Sequence, residues 1–311
     1  MRLLLATALG AFALAGTPAP LHAQQAATKF AAPKFAAVVP LLDCDGTPCI
    51  EATLGAGQIL KLGIDTGNVD SVLDAKLAAT ADIKPSAPVS ANAPSGMFRT
   101  SLPEIRIGSV TLRGTPAIVL NLAEMIEQHQ MPQVDGTLAY TAFKDRILEF
   151  DFPAKTLRIS EPLTAAAAPC QDACDQISLI TFGKDGPPIV VAAGFELNGK
   201  KITAQVDTLF TGSLLVYSDS IAKLGLADAA ATKQTEMFPL TDGGVEMRVA
   251  SAKSVSFHGA PLGPANPKLY FPTPEVHEPD GLFDATVGLA LLRNAILTLD
   301  FHNLTFSIRS N

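Results

Sequence analysis

The sequence predicts an all-β protein made of two similar halves, and three observations carry that prediction. The 311-residue chain alternates short apolar runs with turns built on its 23 Gly and 23 Pro, and no long helical period interrupts them. Residues 134–159 align without a gap on residues 283–308, at an offset of 149 and with eight identities over 26 positions. An apolar run ending in Asp-Thr also occurs twice, 142 residues apart: Leu62-Gly63-Ile64-Asp65-Thr66-Gly67 and Ala204-Gln205-Val206-Asp207-Thr208. Together these read as an internal duplication, one half carrying a net seven extra residues in its middle.

Taken in order, Met1-Arg2 followed by the apolar run Leu3 to Ala15 has the form of a signal peptide, with a cleavage point after Ala23. The run is shorter than the ~20 residues that span a bilayer, so no stable membrane span is expected. Residues 1–23 are therefore set apart from the fold, and the remainder is expected to be exported, to the periplasm or beyond the cell. Residues 24–39, rich in Ala, Gln, Pro and Lys, read as a loose lead-in.

A first half is expected over 40–161 and a second over 177–311, joined by a linker over 162–176 in which Pro162 and the run Ala165 to Ala168 break the strand pattern. In the first half, Ile50 to Leu54 and Ile59 to Ile64 flank Gly55-Ala56-Gly57. That reads as a hairpin; Leu60 stands where a nucleotide-binding loop needs its third Gly. A short helix near Asp74 to Ala79 follows, then a Pro/Ser/Ala/Asn-rich stretch with a turn at Ser95-Gly96. Leu148, Phe150 and Phe152 share one strand face, as do Leu297, Leu299 and Phe301 in the second half. There Asn198-Gly199 is a strong hairpin signal before Ile202 to Asp207, Ser220 to Leu226 repeats the short helix, and Asp242-Gly243-Gly244 supplies a second turn tip.

The net charge of −7, without a basic stripe, argues against a nucleic-acid partner. Four cysteines fall in two close pairs, Cys44 with Cys49 and Cys170 with Cys174. In an exported chain an even count favours disulfides, and pairing within each small loop is the simplest of three connectivities. A zinc site is the alternative, although the usual Cys-x2-Cys spacing is missing. His129, His258, His277 and His302 lack ligand spacing, so no metal is expected. Ser213 has neither a Gly-x-Ser-x-Gly setting nor a paired His, which disfavours a serine hydrolase.

The chemistry-bearing candidates are Asp65 and Asp207. A carboxylate at the end of a buried strand is costly unless it is hydrogen-bonded or used. The bland reading is that each caps its own turn by accepting backbone N–H groups. Asp135, Asp151, Asp284 and Asp300 recur in both halves at turn and hairpin positions and read as structural.

On these residues each half resembles a retropepsin-like domain. The pair resembles a bilobal, pepsin-type aspartic protease, of the kind expected of a bacterial exported aspartyl protease. The family motif is two apolar residues, Asp, Thr or Ser, then Gly, followed much later by two apolar residues and Gly. Here the motif is Leu62 to Gly67 with Thr137-Leu138-Ala139 in the first half, and Gln205 to Gly212 with Thr286-Val287-Gly288 in the second.

The resemblance implies two β-barrel-like lobes with a cleft between them and Asp65 and Asp207 as the catalytic pair. Thr66 and Thr208 would lock the two loops together, with Gly67 and Gly212 supporting them, and the turns at Gly96 and at Gly243-Gly244 would be flaps. It further implies a peptide or unfolded protein as substrate, an acid working range, no cofactor, and a monomer. Leu209 departs from the family, standing where a Gly is expected; Ala139 replaces a Gly, and Asn68 stands where Ser is frequent. A catalytically inactive relative that binds peptide or a partner protein in the cleft is the alternative that Leu209 raises.

Overall fold

Strand Ile147–Asp151 pairs antiparallel with strand Ala295–Asp300, its own repeat counterpart. The register sets Glu149 opposite Thr298, Leu148 opposite Leu299 and Phe150 opposite Leu297. Since Glu149 and Thr298 are equivalent at the offset of 149, an approximate two-fold axis runs between them. The computed structural model describes residues 34–89, 96–122, 124, 126, 133–161, 174–181, 188–240, 243–272 and 282–310. The signal-like segment 1–23 lies outside them.

Each half adds to this axis in the same way. Thr156–Ser160 and Thr305–Ser310 complete the two repeat hairpins. Phe35–Pro40 pairs with the first and Cys174–Thr181 with the second, so six strands run in a row across the two-fold. These outer strands start inside the stretches expected to be lead-in and linker. Tertiary pairing captures them, because an exposed hairpin edge offers unpaired N–H and C=O groups to any chain passing alongside. Glu149, buried on the axis at 6% exposure, is held by Arg158, by Arg309 at 3.0 Å and by Thr298 Oγ1 at 3.5 Å. Burying a carboxylate without such partners is costly.

The rest of the first lobe is a ten-stranded sheet that includes Thr47–Leu54, Gln58–Asp65, Ser71–Asp74, Gly136–Ala139 and Thr115–Leu120. The second lobe's strands continue the six-stranded row into a sheet of fifteen. Among the described residues the strand order of neither sheet returns on itself, so they form no closed barrel. The core runs continuously through both lobes, with Phe143, Phe150, Phe195, Phe257, Phe271 and Phe306 among its fully buried side chains.

One local arrangement, built twice, positions the site. Gly136–Ala139 lies parallel to Gln58–Asp65, with Ala139 opposite Asp65, and antiparallel to Ser71–Asp74. Ala285–Val287 lies in the same way against Lys200–Val206 and Leu214–Val216. The repeated aspartates at the mouths of these strands are structural, as expected: Asp135 accepts from Lys61 N (2.7 Å) and Asp284 from Thr203 N (3.0 Å). Asp151 and Asp300 each cap a hairpin turn, the first accepting from Ala154 N and the second from His302 N and Asn303 N.

Cys44 and Cys49 form a disulfide. Cys174 is also disulfide-bonded, and its expected partner Cys170 lies outside the described residues. Among the described residues no helix is long and apolar enough to cross a membrane.

Candidate active site

Asp65 is the last residue of strand Gln58–Asp65, and Asp207 directly follows strand Lys200–Val206. Each strand is buried along its apolar face and then turns sharply, so its carboxyl group emerges where the lobes meet. In each turn the carboxylate is caught by the backbone that follows. Gly67 N donates to Asp65 Oδ1 at 3.0 Å, and Leu209 N and Phe210 N donate to Asp207 Oδ1 at 2.8 and 3.1 Å.

The threonines that follow lock the turns to one another. Thr66 Oγ1 donates to Val206 O across the lobes at 2.7 Å, and Thr208 Oγ1 donates to Ile64 O. Thr208 N donates to Thr66 Oγ1 (3.1 Å) and Thr66 N to Thr208 Oγ1 (3.3 Å). Both threonines are fully buried. Each hydroxyl therefore closes two of the other lobe's polar groups, which would be costly to leave unpaired away from water.

This lock brings the carboxyl groups together. A Cβ placed on Gly67 would stand 2.7 Å from Asp207 Cγ, so only Gly admits the second carboxylate so close to the first loop. Burial pushes Asp65 up to about 8, and the charge of Asp207 adds to that rise. Hydrogen bonds from Gly67 N and from the Asn68 side chain and backbone oppose it. Burial likewise raises Asp207, against the pull of the Leu209 and Phe210 N–H groups. Two such neighbouring groups titrate as one unit.

Leu209, the departure from the family pattern, keeps its N–H on Asp207. Its side chain turns across the lobe boundary to Gly63, where an added Cβ would meet Leu209 Cδ2 at 3.1 Å. Gly212 does not approach the carboxylates: it packs under Phe210 and Tyr270, and its carbonyl accepts from Ala290 N. Asn68 hydrogen-bonds Asp65 through its side chain and its backbone.

The expected flap positions are hairpins. Ala87–Pro88 pairs with Phe98–Leu102 near Gly96, whose tip lies outside the described residues, and Thr235–Leu240 pairs with Gly243–Ser251, which contains Gly243 and Gly244. A pocket of about 810 Å³ lined by Glu51, Lys61, Asp74, Lys76 and Asp135 lies on the first lobe and includes neither Asp65 nor Asp207.

Sequence reasoning missed Gln205, Thr286 and Tyr217 as neighbours of the pair. Gln205 Nε2 donates to Gly67 O at 2.8 Å, Thr286 Oγ1 donates to Gln205 Oε1 at 3.3 Å, and Tyr217 OH lies 3.0 Å from Thr286 Oγ1. The available signal was Gln205 itself, a polar residue in the otherwise apolar approach to Asp207.

The geometry agrees with what comparison finds. Residues 50–141 match the family model described as aspartyl protease. No curated protein matches the chain. Among solved structures, an aspartic proteinase from Irpex lacteus is similar at 12% identity, covering 88% of this chain and 97% of its own, with a TM-score of 0.47. The family match thus falls within the first lobe, where residues 50–141, Asp65 among them, are similar to aspartyl proteases.

Proposed function

We propose that the chain is an exported aspartic endopeptidase in which Asp65 and Asp207 share one proton and activate a water between them. The charged member takes a proton from that water, which attacks the peptide carbonyl. The protonated member donates to the carbonyl oxygen as it gains charge. No cofactor is needed for this step. The observation that carries the reading is the pairing of the two buried carboxyls in matching turns, joined by the reciprocal Thr66–Thr208 hydrogen bonds. Peptide or unfolded protein is the substrate class, with the hairpins at Gly96 and at Gly243-Gly244 as flaps over it.

The inactive, peptide-binding reading rested on Leu209. Its backbone donor is retained and its side chain is accommodated at Gly63, which supports an intact site over a degenerate one. The test is hydrolysis of a denatured protein from about pH 3 to 8, with Asp65→Asn and Asp207→Asn alongside. Cleavage abolished by either substitution is expected. A well-folded protein that cleaves nothing at any pH would return the peptide-binding reading. Cleavage that survives Asp207→Asn would remove Asp207 from the mechanism.

A further inference from the structure

The two lobes differ at two neighbouring pairs of equivalent positions. At the offset of 142, Gly63 corresponds to Gln205 and Gly67 to Leu209. The contacts across the boundary are crossed, each side chain meeting the glycine of the other pair: Leu209 covers Gly63, while Gln205 reaches Gly67. Where one lobe presents a large side chain the other presents none.

The Gln205 contact has a fixed direction. Gly67 O can only accept, so the atom facing it at 2.8 Å is Nε2, and Oε1 must face Thr286. Oε1 can only accept, so Thr286 Oγ1 spends its proton there, and the 3.0 Å contact with Tyr217 must have the phenol as donor. Among the described residues the first lobe shows no such chain: the hydroxyl of Thr137, the counterpart of Thr286, is buried and has no hydrogen-bond partner. Gly63 stands where Gln205 would be, and Asp74, which precedes the first lobe's short helix as Tyr217 precedes the second's, stands in the place of Tyr217.

We propose that Tyr217, Thr286 and Gln205 form a one-way hydrogen-bond chain that fixes the Gly67 peptide from the opposite lobe, making them positioning residues for Asp65. The Gly67 peptide offers its N–H to Asp65 Oδ1 and its carbonyl to Gln205, so one rigid unit transmits the orientation. Tyr217 also feels the charge of Asp207. The chain thus holds the first carboxylate from the lobe that supplies the second. The inference rests on the aspartate pair being the working site, but its test has a readout that does not need hydrolysis.

Thr286→Val removes the hydroxyl at nearly constant volume, and Thr286→Ser keeps it. In each protein the carboxyl titrations of Asp65 and Asp207 are followed by carbon-13 NMR, with kcat and KM measured where hydrolysis is present. Besides the Gly67 N–H, the groups facing Asp65 are Asp207 and Asn68, and both stay in place in these variants. The expected result is a shift of roughly half a pH unit or more in the Asp65 titration for Thr286→Val. A drop of about tenfold in kcat, with KM little changed, should accompany it. Thr286→Ser should restore both. Should Thr286→Val not fold, Gln205→Met gives the same reading from a half-buried position. An unmoved Asp65 titration in the folded variant overturns the proposal, as does an equal shift in the Val and Ser variants. Absence of hydrolysis in the unaltered protein would overturn the peptidase reading and leave the titration to decide the chain.

Discussion

Leu209 lies over Gly63, and the fit is close enough that a Cβ on Gly63 would meet Leu209 Cδ2 at 3.1 Å. The residue that breaks the family pattern in the second lobe is thus matched by a vacancy in the first. A large side chain on one side of the boundary is accommodated by the absence of one on the other.

Restoring Gly at 209 should therefore not release hidden activity. Leu209→Gly removes apolar contact from a half-buried site and adds backbone freedom beside Asp207. A loss of roughly 1–3 kcal/mol of stability is expected, with kcat/KM equal to or below that of the unaltered protein. Gly63→Ala should also destabilise, and combining it with Leu209→Ala should recover part of the loss. Denaturant unfolding of Gly63→Ala, Leu209→Ala and the double variant measures the coupling. Additive losses would show that the two residues do not sense each other.

The Thr66–Thr208 lock should be cooperative. Either Thr→Val change leaves a buried carbonyl and a buried N–H of the other lobe without partners, at a cost of roughly 2–4 kcal/mol. The double variant should cost clearly less than the sum of the two, because each hydroxyl's partners include the other. Urea unfolding of the two singles and the double checks this.

The aspartate pair should also be visible in stability against pH. Asp65 is raised above its value in an unfolded chain, so the folded state binds the proton more tightly. That contribution is fully present below pH 3.8, the ordinary value, and is lost as pH rises toward about 8. Asp65→Asn removes it, so the variant should lose less stability than the unaltered protein between these limits. The gap, followed as the melting temperature across pH, should widen in favour of Asn as pH rises. A constant gap would mean that Asp65 carries no raised affinity for its proton.

The same shift bears on activity. The sequence implied an acid working range, and burial extends the singly protonated state of the pair upward from the ordinary carboxylate range. The alkaline limb of kcat/KM should accordingly fall near neutral pH, well above the pH at which an isolated aspartate loses its proton. A pH–rate profile with a small unstructured peptide shows where it falls.

Asp284 should behave with the opposite sign. Burial pushes it up, but hydrogen bonds from Lys223, Ser220 and Thr203 outweigh burial and hold it below its ordinary value. Its stabilisation is present above the ordinary value and is lost as pH falls through the lowered one. Asp284→Asn should cost roughly 2–4 kcal/mol at neutral pH and progressively less in acid. Lys223→Ala should cost under about 1 kcal/mol, because its side chain is 62% exposed and the ion pair is screened.

Much of this protein is determined by the sequence alone. The similar segments 149 residues apart, the two Asp-Thr runs and the alternation of apolar residues point to two β-rich halves, and they single out Asp65 and Asp207 as the candidates among the recurring aspartates. Such features are local: a period of two, a turn, a motif and its echo can all be read along the chain. What only the tertiary structure decided lies across the lobe boundary. That Leu209 rests on Gly63, that Gln205 holds the Gly67 carbonyl, and that Glu149 sits on the two-fold all depend on residues brought together from opposite halves. Outer strands such as Phe35–Pro40 form because a hairpin edge is there to pair with, and their own sequence does not announce it. Whether Leu209 marks a ruined site or a compensated one is a question of packing volume at one contact, and volume is defined only once both walls are in place.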